Sequence, residues 1–229
     1  MTPRRRRILL ALLATPLLAV LAFVVTFRAL LFRPELDVVS IKTEAPYQDP
    51  KLLAEAWALP VAATYQKAGL LFQTNGSYCG PTSIANALSS TGEAPLTPDG
   101  VVANTGKCSL GICFGGLTLD ELAEVTRQRT KRTVTVLRDL DLAAFRAELA
   151  KVNDPARRYV INFDRAPLFR RGGGHHSPIG GYLADRDLVF ILDVNRTFQP
   201  WLVSSERLWK AMDTVDGTNH KKRGLLRIE

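Results

Sequence analysis

Apolar positions along this chain follow two periods. Between residues 51 and 152 they recur mostly at helical spacing, and from residue 159 they come in short unbroken runs, as in buried strands. Residues 51–59 and 82–88 read as helices. So do the stretch after Thr118, where Thr118 and Glu121 form a capping box and Leu119, Leu122, Val125 and Thr126 face inward, and residues 142–152, with Leu142, Phe145 and Leu149 on one side. Residues 133–137 have strand composition. Strands are then expected at 159–163, 177–183, 188–194 and 224–228, with one capped helix at 204–212. Residues 33–48 read as a polar linker, extended around 38–41, and the Gly- and Pro-rich stretch 91–116 as a long loop. A helical first half and a strand-rich second half predict an α+β fold with an antiparallel sheet.

The first 33 residues stand apart. Residues 4–7 are all arginine, and residues 8–27 form a 20-residue run without a charge, long enough to span a bilayer core of about 30 Å. With Arg28 and Arg33 behind it and no small-residue cleavage site, this run is expected to be an uncleaved signal-anchor helix. The arginines would stay in the cytoplasm and the rest of the chain would face outward. In a bacterium that is a single pass through the inner membrane with a periplasmic domain. The expected division is 1–33 as basic tail and anchor, 34–67 as linker and first helix, and 68–229 as the chemical domain. The formal charge of +8 belongs to the tail: its six arginines leave 24 basic against 22 acidic residues beyond it. That balance removes the main support for nucleic-acid binding. At 46% hydrophobic and 23% charged residues, the composition also excludes a disordered chain.

Candidate chemistry begins with Gln73, six residues before Cys79. Cys79-Gly80-Pro81 opens a helix, with proline suited to its first turn. A thiol there feels the positive end of the helix dipole and is biased toward thiolate. A side-chain amide nearby could donate to an oxyanion formed on the acyl group that the thiolate attacks. Such a nucleophile needs a base and a group to orient it. His175 and its neighbour His176 are the candidate bases. Asp193, inside an apolar run where a carboxylate needs partners, is the candidate acid. A strict hairpin about Arg186 would set Asp193 opposite Ile179, so the Ser-Pro and Gly180-Gly181 irregularities must bend the strand to bring it to His175. His220, beside Lys221 and Lys222, reads as a surface residue. Cys108 and Cys113 have spacing for a small local disulfide in an oxidising compartment, or alternatively for a thiolate metal site or a non-enzymatic thiol module.

Taken together, Gln73…Cys79-Gly80, His175-His176-Ser177-Pro178-Ile179-Gly180-Gly181-Tyr182, Ile191-Leu192-Asp193-Val194 and the block from Leu208 to Asp216 resemble the phytochelatin synthase family. The resemblance covers most of residues 68–229 and is to the short prokaryotic type. It implies a papain-like cysteine-peptidase fold, with a helical lobe carrying the cysteine and a sheet lobe carrying histidine and aspartate. It implies Cys79 as nucleophile, His175 as base, Asp193 as orienting acid and Gln73 as oxyanion donor. Asp216 and Arg223 would hold the γ-glutamyl head of the substrate, with Arg196 on the rim. The implied activity is γ-glutamylcysteinyl transfer from glutathione to a second glutathione or to water. No cofactor is required, and cadmium or zinc enters as a metal–glutathione co-substrate or activator. Glutathione and its thiol conjugates are the implied partners, and a homodimer is one open form of assembly. A leader-peptide peptidase is the competing activity on the same fold. The chain departs from the family pattern at Thr197-Phe198-Gln199, where a basic-aromatic pattern is expected, and the cysteine-rich C-terminal region of plant members is expected to be absent.

Overall fold

The computed structural model describes residues 35–229 and, singly, Val20. The apolar run expected to cross a membrane therefore lies, Val20 apart, outside the described residues. Among the described residues no helix is long and apolar enough to cross a membrane.

The helical part opens with α1 (Pro50–Trp57) and α2 (Pro60–Ala68), each with proline in its first turn. Asp49 caps α1 by accepting from the Lys51 and Leu52 amides. The helix expected at 51–59 forms as α1, ending at Trp57, and α2 is a further helix beyond the expected range, begun by Pro60, which cannot continue the first. Residues 38–41 are not extended into a strand. A 3₁₀ turn at Ile41–Thr43, capped by Ser40, drops Ile41 into the core. The cysteine helix α3 (Cys79–Ser89) is buried along nearly all its length. Inside the expected 91–116 loop sits a short α4 (Pro98–Val102), capped by Thr97 and anchored by Val101 and Val102. The capping box of Thr118 and Glu121 starts α5 (Leu119–Arg127).

The remaining elements are β1 (Val134–Leu137), α6 (Leu142–Leu149), β2 (Arg158–Asp164), α7 (Ala166–Phe169), β3 (Gly174–Leu183), β4 (Leu188–Ile191), β5 (Trp201–Ser204), α8 (Ser205–Met212) and β6 (Gly224–Ile228). The six strands among the described residues form one antiparallel sheet in the order β1-β6-β2-β3-β4-β5. Ile84, Leu88 and Leu122 of the first-half helices pack on the face carrying Phe190, Leu192 and Leu226. Phe145, Leu168 and Leu208 cover the opposite face with Ile161, Ile179, Ile191 and Trp201. Two expectations shift here. β3 begins at Gly174, three residues before the expected start at 177, so His175 and His176 are strand residues paired with Phe163 and Asn162. β4 stops at Ile191, and residues 201–204, whose run is too short to stand out, form a strand of their own.

The β3–β4 hairpin carries one irregularity that decides the site. Gly181 pairs with Phe190, but two residues earlier Ile179 pairs with Ile191, so Gly180 is an extra residue on β3. Continued without that bulge, the ladder would set residue 193 opposite Pro178, on the face away from His175. With the bulge it falls opposite Ser177, on the face of His175 and Ile179. His175 and Asp193 then stand diagonally across two strands, within reach of long side chains. A Cβ at Gly180 would lie 2.8 Å from Leu192 Cγ and 2.9 Å from Phe190 Cδ1. Gly180→Ala should therefore lower the unfolding free energy by about 1–3 kcal/mol, as overpacking does, read as a reduced denaturation midpoint in urea.

Candidate active site

The loop before α3 is fixed from several sides. Asn86 of α3 clamps Leu71, accepting from its N–H at 2.8 Å and donating to its carbonyl at 2.9 Å. The Gln73 N–H donates to the Val194 carbonyl at 2.8 Å, placing Gln73 beside Asp193. Ser83 Oγ donates to the His176 carbonyl at 3.1 Å, which locks α3 onto β3. Cys108 and Cys113 are joined in a disulfide, closing a tight hairpin. That hairpin holds the loop as well: Asn75 Nδ2 donates to the Gly111 carbonyl, and the Cys113 N–H donates to Ser77 Oγ. Both sulfurs are spent in the covalent bond, so neither is a thiolate ligand. Cys79 is the free cysteine, and it is buried.

Cys79, His175 and Asp193 come together as a chain. The Cys79 thiol is hydrogen-bonded to the His175 side chain. His175 Nε2 lies 3.1 Å from Asp193 Oδ1, which leaves Nδ1 for the sulfur. Asp193 is fully buried and takes donors from every side. Arg165 Nη2 reaches both its oxygens at 2.8 Å, Trp201 Nε1 donates at 2.9 Å, and the Asn195 N–H donates at 2.8 Å. Burial alone would raise the Asp193 carboxyl. The His175 charge and hydrogen bond, with Arg165 and Trp201, instead hold it well below the usual carboxylate range.

The same balance acts on the Cys79 thiol. Burial pushes the Cys79 thiol up, but the hydrogen bond and charge of His175, helped by the His176 backbone and Arg165, bring it net below the ordinary 9.0. His175 is pulled down by burial and by Arg165, yet the Asp193 carboxylate and the Cys79 hydrogen bond leave it above 6.5. Both shifts run toward the charged forms, thiolate and imidazolium, each favoured by the other. His176 is different. Its ring turns to the opposite side, where Nε2 lies 2.8 Å from the Leu117 carbonyl and 3.0 Å from Asn162 Nδ2, and burial pulls it down to about 4. It is a neutral packing residue. His220 is exposed at positive φ in its loop.

Gln73 Nε2 donates one hydrogen to the Asn75 carbonyl at 2.9 Å, leaving the second for another acceptor. Cys79 is the first residue of α3, so its own N–H has no acceptor within the helix. Arg223 is buried; Nη1 donates to the Val215 carbonyl at 2.7 Å, Nη2 lies 3.7 Å from Asp216 Oδ2, and Nε has no partner. The guanidinium crosses Gly174, where a Cβ would come within 2.7 Å of Nη2. Arg196 stacks over the Phe72 ring at 4.6 Å. The structure thus places all seven expected residues on three neighbouring segments: 72–79, 174–196 and 216–223. Sequence reasoning missed Arg165, which also lies 3.9 Å over the Phe198 ring, and Trp201. A buried Asp193 demanded donors, but nothing in the spacing told one arginine from another.

Alkylation of Cys79 by iodoacetamide should follow a pH profile whose inflection lies below that of an ordinary thiol. In His175→Ala the two largest of the contributions that lower the thiol are lost while burial remains, so the inflection should move upward. An unchanged profile in that variant would contradict the pairing.

Comparison with known proteins bears on this arrangement. A family model described as phytochelatin synthase matches residues 35–225, most of the chain. Glutathione gamma-glutamylcysteinyltransferase 3 of Lotus japonicus is 44% identical over 73 residues, which are 31% of this chain and 15% of that protein. Glutathione gamma-glutamylcysteinyltransferase 2 of Arabidopsis thaliana is 38% identical over 98 residues, 37% of this chain and 22% of that protein. The matches therefore span less than a quarter of the length of these curated relatives. Among solved structures, the peptidase domain of Streptococcus ComA aligns at 15% identity and TM-score 0.46, covering 69% of this chain and 94% of that one. A putative C39-like peptidase from Bacillus anthracis aligns at 14% identity and TM-score 0.49, covering 71% and 94%. On the extent of the family-model match, the chain belongs to the phytochelatin synthase family.

Proposed function

We propose that this protein is a γ-glutamylcysteinyl transferase that works through a cysteine acyl-enzyme, in the manner of a papain-like peptidase. The Cys79 thiolate attacks the cysteinyl–glycine carbonyl of glutathione. The oxyanion that forms is taken by the free hydrogen of Gln73 Nε2 and the Cys79 N–H, donors whose value rises in a water-poor site. His175, held by Asp193, gives its proton to the departing glycine nitrogen. The γ-glutamylcysteinyl thioester left on Cys79 is resolved by the amine of a second glutathione, lengthening the chain, or by water, releasing γ-glutamylcysteine. Asp216 receives the ammonium of the γ-glutamyl head and Arg223 its carboxylate, both as charge-assisted bonds. Arg196 guards the rim. Cadmium or zinc acts as part of the substrate, bound to glutathione thiols. Membrane anchoring by residues 8–27 and a periplasmic site belong to the same proposal, and a disulfide at Cys108–Cys113 suits an oxidising compartment.

The observation that carries the reading is the adjacency of two charge systems. The Cys79–His175–Asp193 chain supplies acyl-transfer chemistry, and one strand residue away Gly174 makes room for the buried Arg223 and its Asp216 partner. A peptidase for ordinary peptide chains has no use for a buried ammonium and carboxylate pair of sites so near its nucleophile.

The full chain incubated with glutathione and cadmium should release glycine and give γ-glutamylcysteine or its extended oligomers by mass spectrometry. Cys79→Ala should abolish both. No glycine release, or release that survives Cys79→Ala, would overturn the proposal, as would preferential cleavage of peptides without a γ-glutamyl head. Gly174→Ala, by pushing Arg223 aside, should raise KM for glutathione roughly tenfold or more, the loss of about one charge-assisted bond, while leaving the pH profile of Cys79 alkylation in place.

A further inference from the structure

Part of the stretch expected to be a linker packs against the turn that follows Asp193. The Tyr47 carbonyl accepts from the Leu202 N–H at 2.9 Å, and the Tyr47 ring stacks on Trp201 with centroids 6.3 Å apart. Gln48 Nε2 donates to the Phe198 and Pro200 carbonyls at 2.8 and 3.2 Å. Lys42 Nζ lies 4.6 Å over the half-buried Phe198 ring. The buried Arg165 guanidinium lies over the same ring at 3.9 Å, with the Phe169 and Phe163 rings at 5.5 and 5.7 Å. Its grip on Asp193 is one-pronged. Nη2 reaches both carboxylate oxygens, whereas a two-pronged pair would use two nitrogens and so fix the guanidinium plane. Nη1 is buried without a hydrogen-bond partner. The task of keeping that plane in place therefore falls to the rings, and Phe198 is the nearest of them.

We infer that Phe198 is a positioning residue of the acyl-transfer site, acting on Asp193 and His175 by keeping the Arg165 guanidinium in place and out of water, and that residues 42–48 hold Phe198 in turn. The inference rests on the acyl-transfer reading above. Phe198 lies in the stretch 197–199, where the chain departs from its family's pattern, so the device belongs to this chain. A cation over a ring is held most strongly when water is kept away. Without the ring, water reaches Nη1, screens the charge and lets the guanidinium turn. Arg165 lowers both the Cys79 thiol and the His175 imidazolium. Both groups then lose the same pull, and an Asp193 that is less neutralised pushes both the same way, so both titrate at higher pH. Ordinary loosening differs: water between sulfur and imidazole would raise the thiol and lower the imidazole. The other groups nearby do not produce the joint rise. Tyr47, pushed up to about 12 by burial and by Asp193, stays neutral, as does His176 at about 4. Arg223 and Asp216 lie beyond Gly174, and Arg196 is exposed over Phe72.

The test follows iodoacetamide alkylation of Cys79 against pH, together with glycine release from glutathione, in the full-length protein and three variants. In Phe198→Ala the lower inflection, where the thiolate forms, and the upper one, where His175 loses its proton, should move upward together. Its kcat should fall roughly tenfold, the weight of one desolvated cation–π contact, with KM changed less than about twofold. Phe198→Tyr keeps a ring over the cation and should restore the wild-type profile. Gln48→Ala, at an exposed position, frees the turn without touching the rings and should move both inflections the same way by less. It also carries the test if circular dichroism shows that Phe198→Ala does not fold. Inflections that stay put in folded Phe198→Ala or, failing that, in Gln48→Ala would overturn the role, as would inflections that approach each other. A wild type that releases no glycine while the variants show the joint shift would overturn the transferase reading and leave the positioning role standing.

Discussion

The carboxylate of Asp193 is the interaction on which the site depends. A bare buried anion is prohibitively costly, and this one persists because arginine, histidine, tryptophan and a backbone amide all donate to it. Each donor comes from a different part of the fold: Arg165 from the start of α7, His175 from β3, Trp201 from β5, and the Asn195 N–H from the turn after β4. The charge therefore gathers strands that are distant in sequence around one point. It also fixes which nitrogen of His175 faces the sulfur, since Nε2 is already taken. Arg165 is part of a compromise. It neutralises Asp193, yet it also opposes protonation of His175, so the imidazolium owes its stability to the carboxylate and the thiolate together.

Geometry reaches that point through one inserted residue. The extra Gly180 turns Asp193 onto the His175 face of the sheet, and only glycine fits there, between Leu192 and Phe190. A second glycine works by the same logic. Gly174 has no side chain because the Arg223 guanidinium occupies that space. Both ends of β3 are thus shaped by missing atoms, one to align the proton-transfer chain and the other to admit a cation.

Much of this was legible in the sequence. The capping box at Thr118, the strand runs at 133–137, 159–163 and 224–228, and the capped helix after Ser204 all formed close to where local pattern put them, because local capping and burial point the same way there. The need for an irregularity near Gly180-Gly181 was legible too, since a regular hairpin could not join His175 to Asp193. What pattern could not reach was anything settled by long-range packing. The choice between His175 and His176 rests on which strand face each ring takes, and alternation says only that the two differ. Arg165 sits among several arginines whose spacing is uninformative. The break at Pro60, the turn at Ile41 and the short helix at Pro98–Val102 needed knowledge of what lies beneath them.

The stapled hairpin at Cys108–Cys113 leaves the described chain with a simple stoichiometry. Of three cysteines, two are consumed by each other and the third, Cys79, is a buried free thiol. A thiol-specific titrant applied without reductant thus counts one equivalent per intact chain, at the reactive sulfur, and three once the staple is opened. The pair of counts, one before reduction and three after it, is the signature of a chain with a closed staple and a free Cys79.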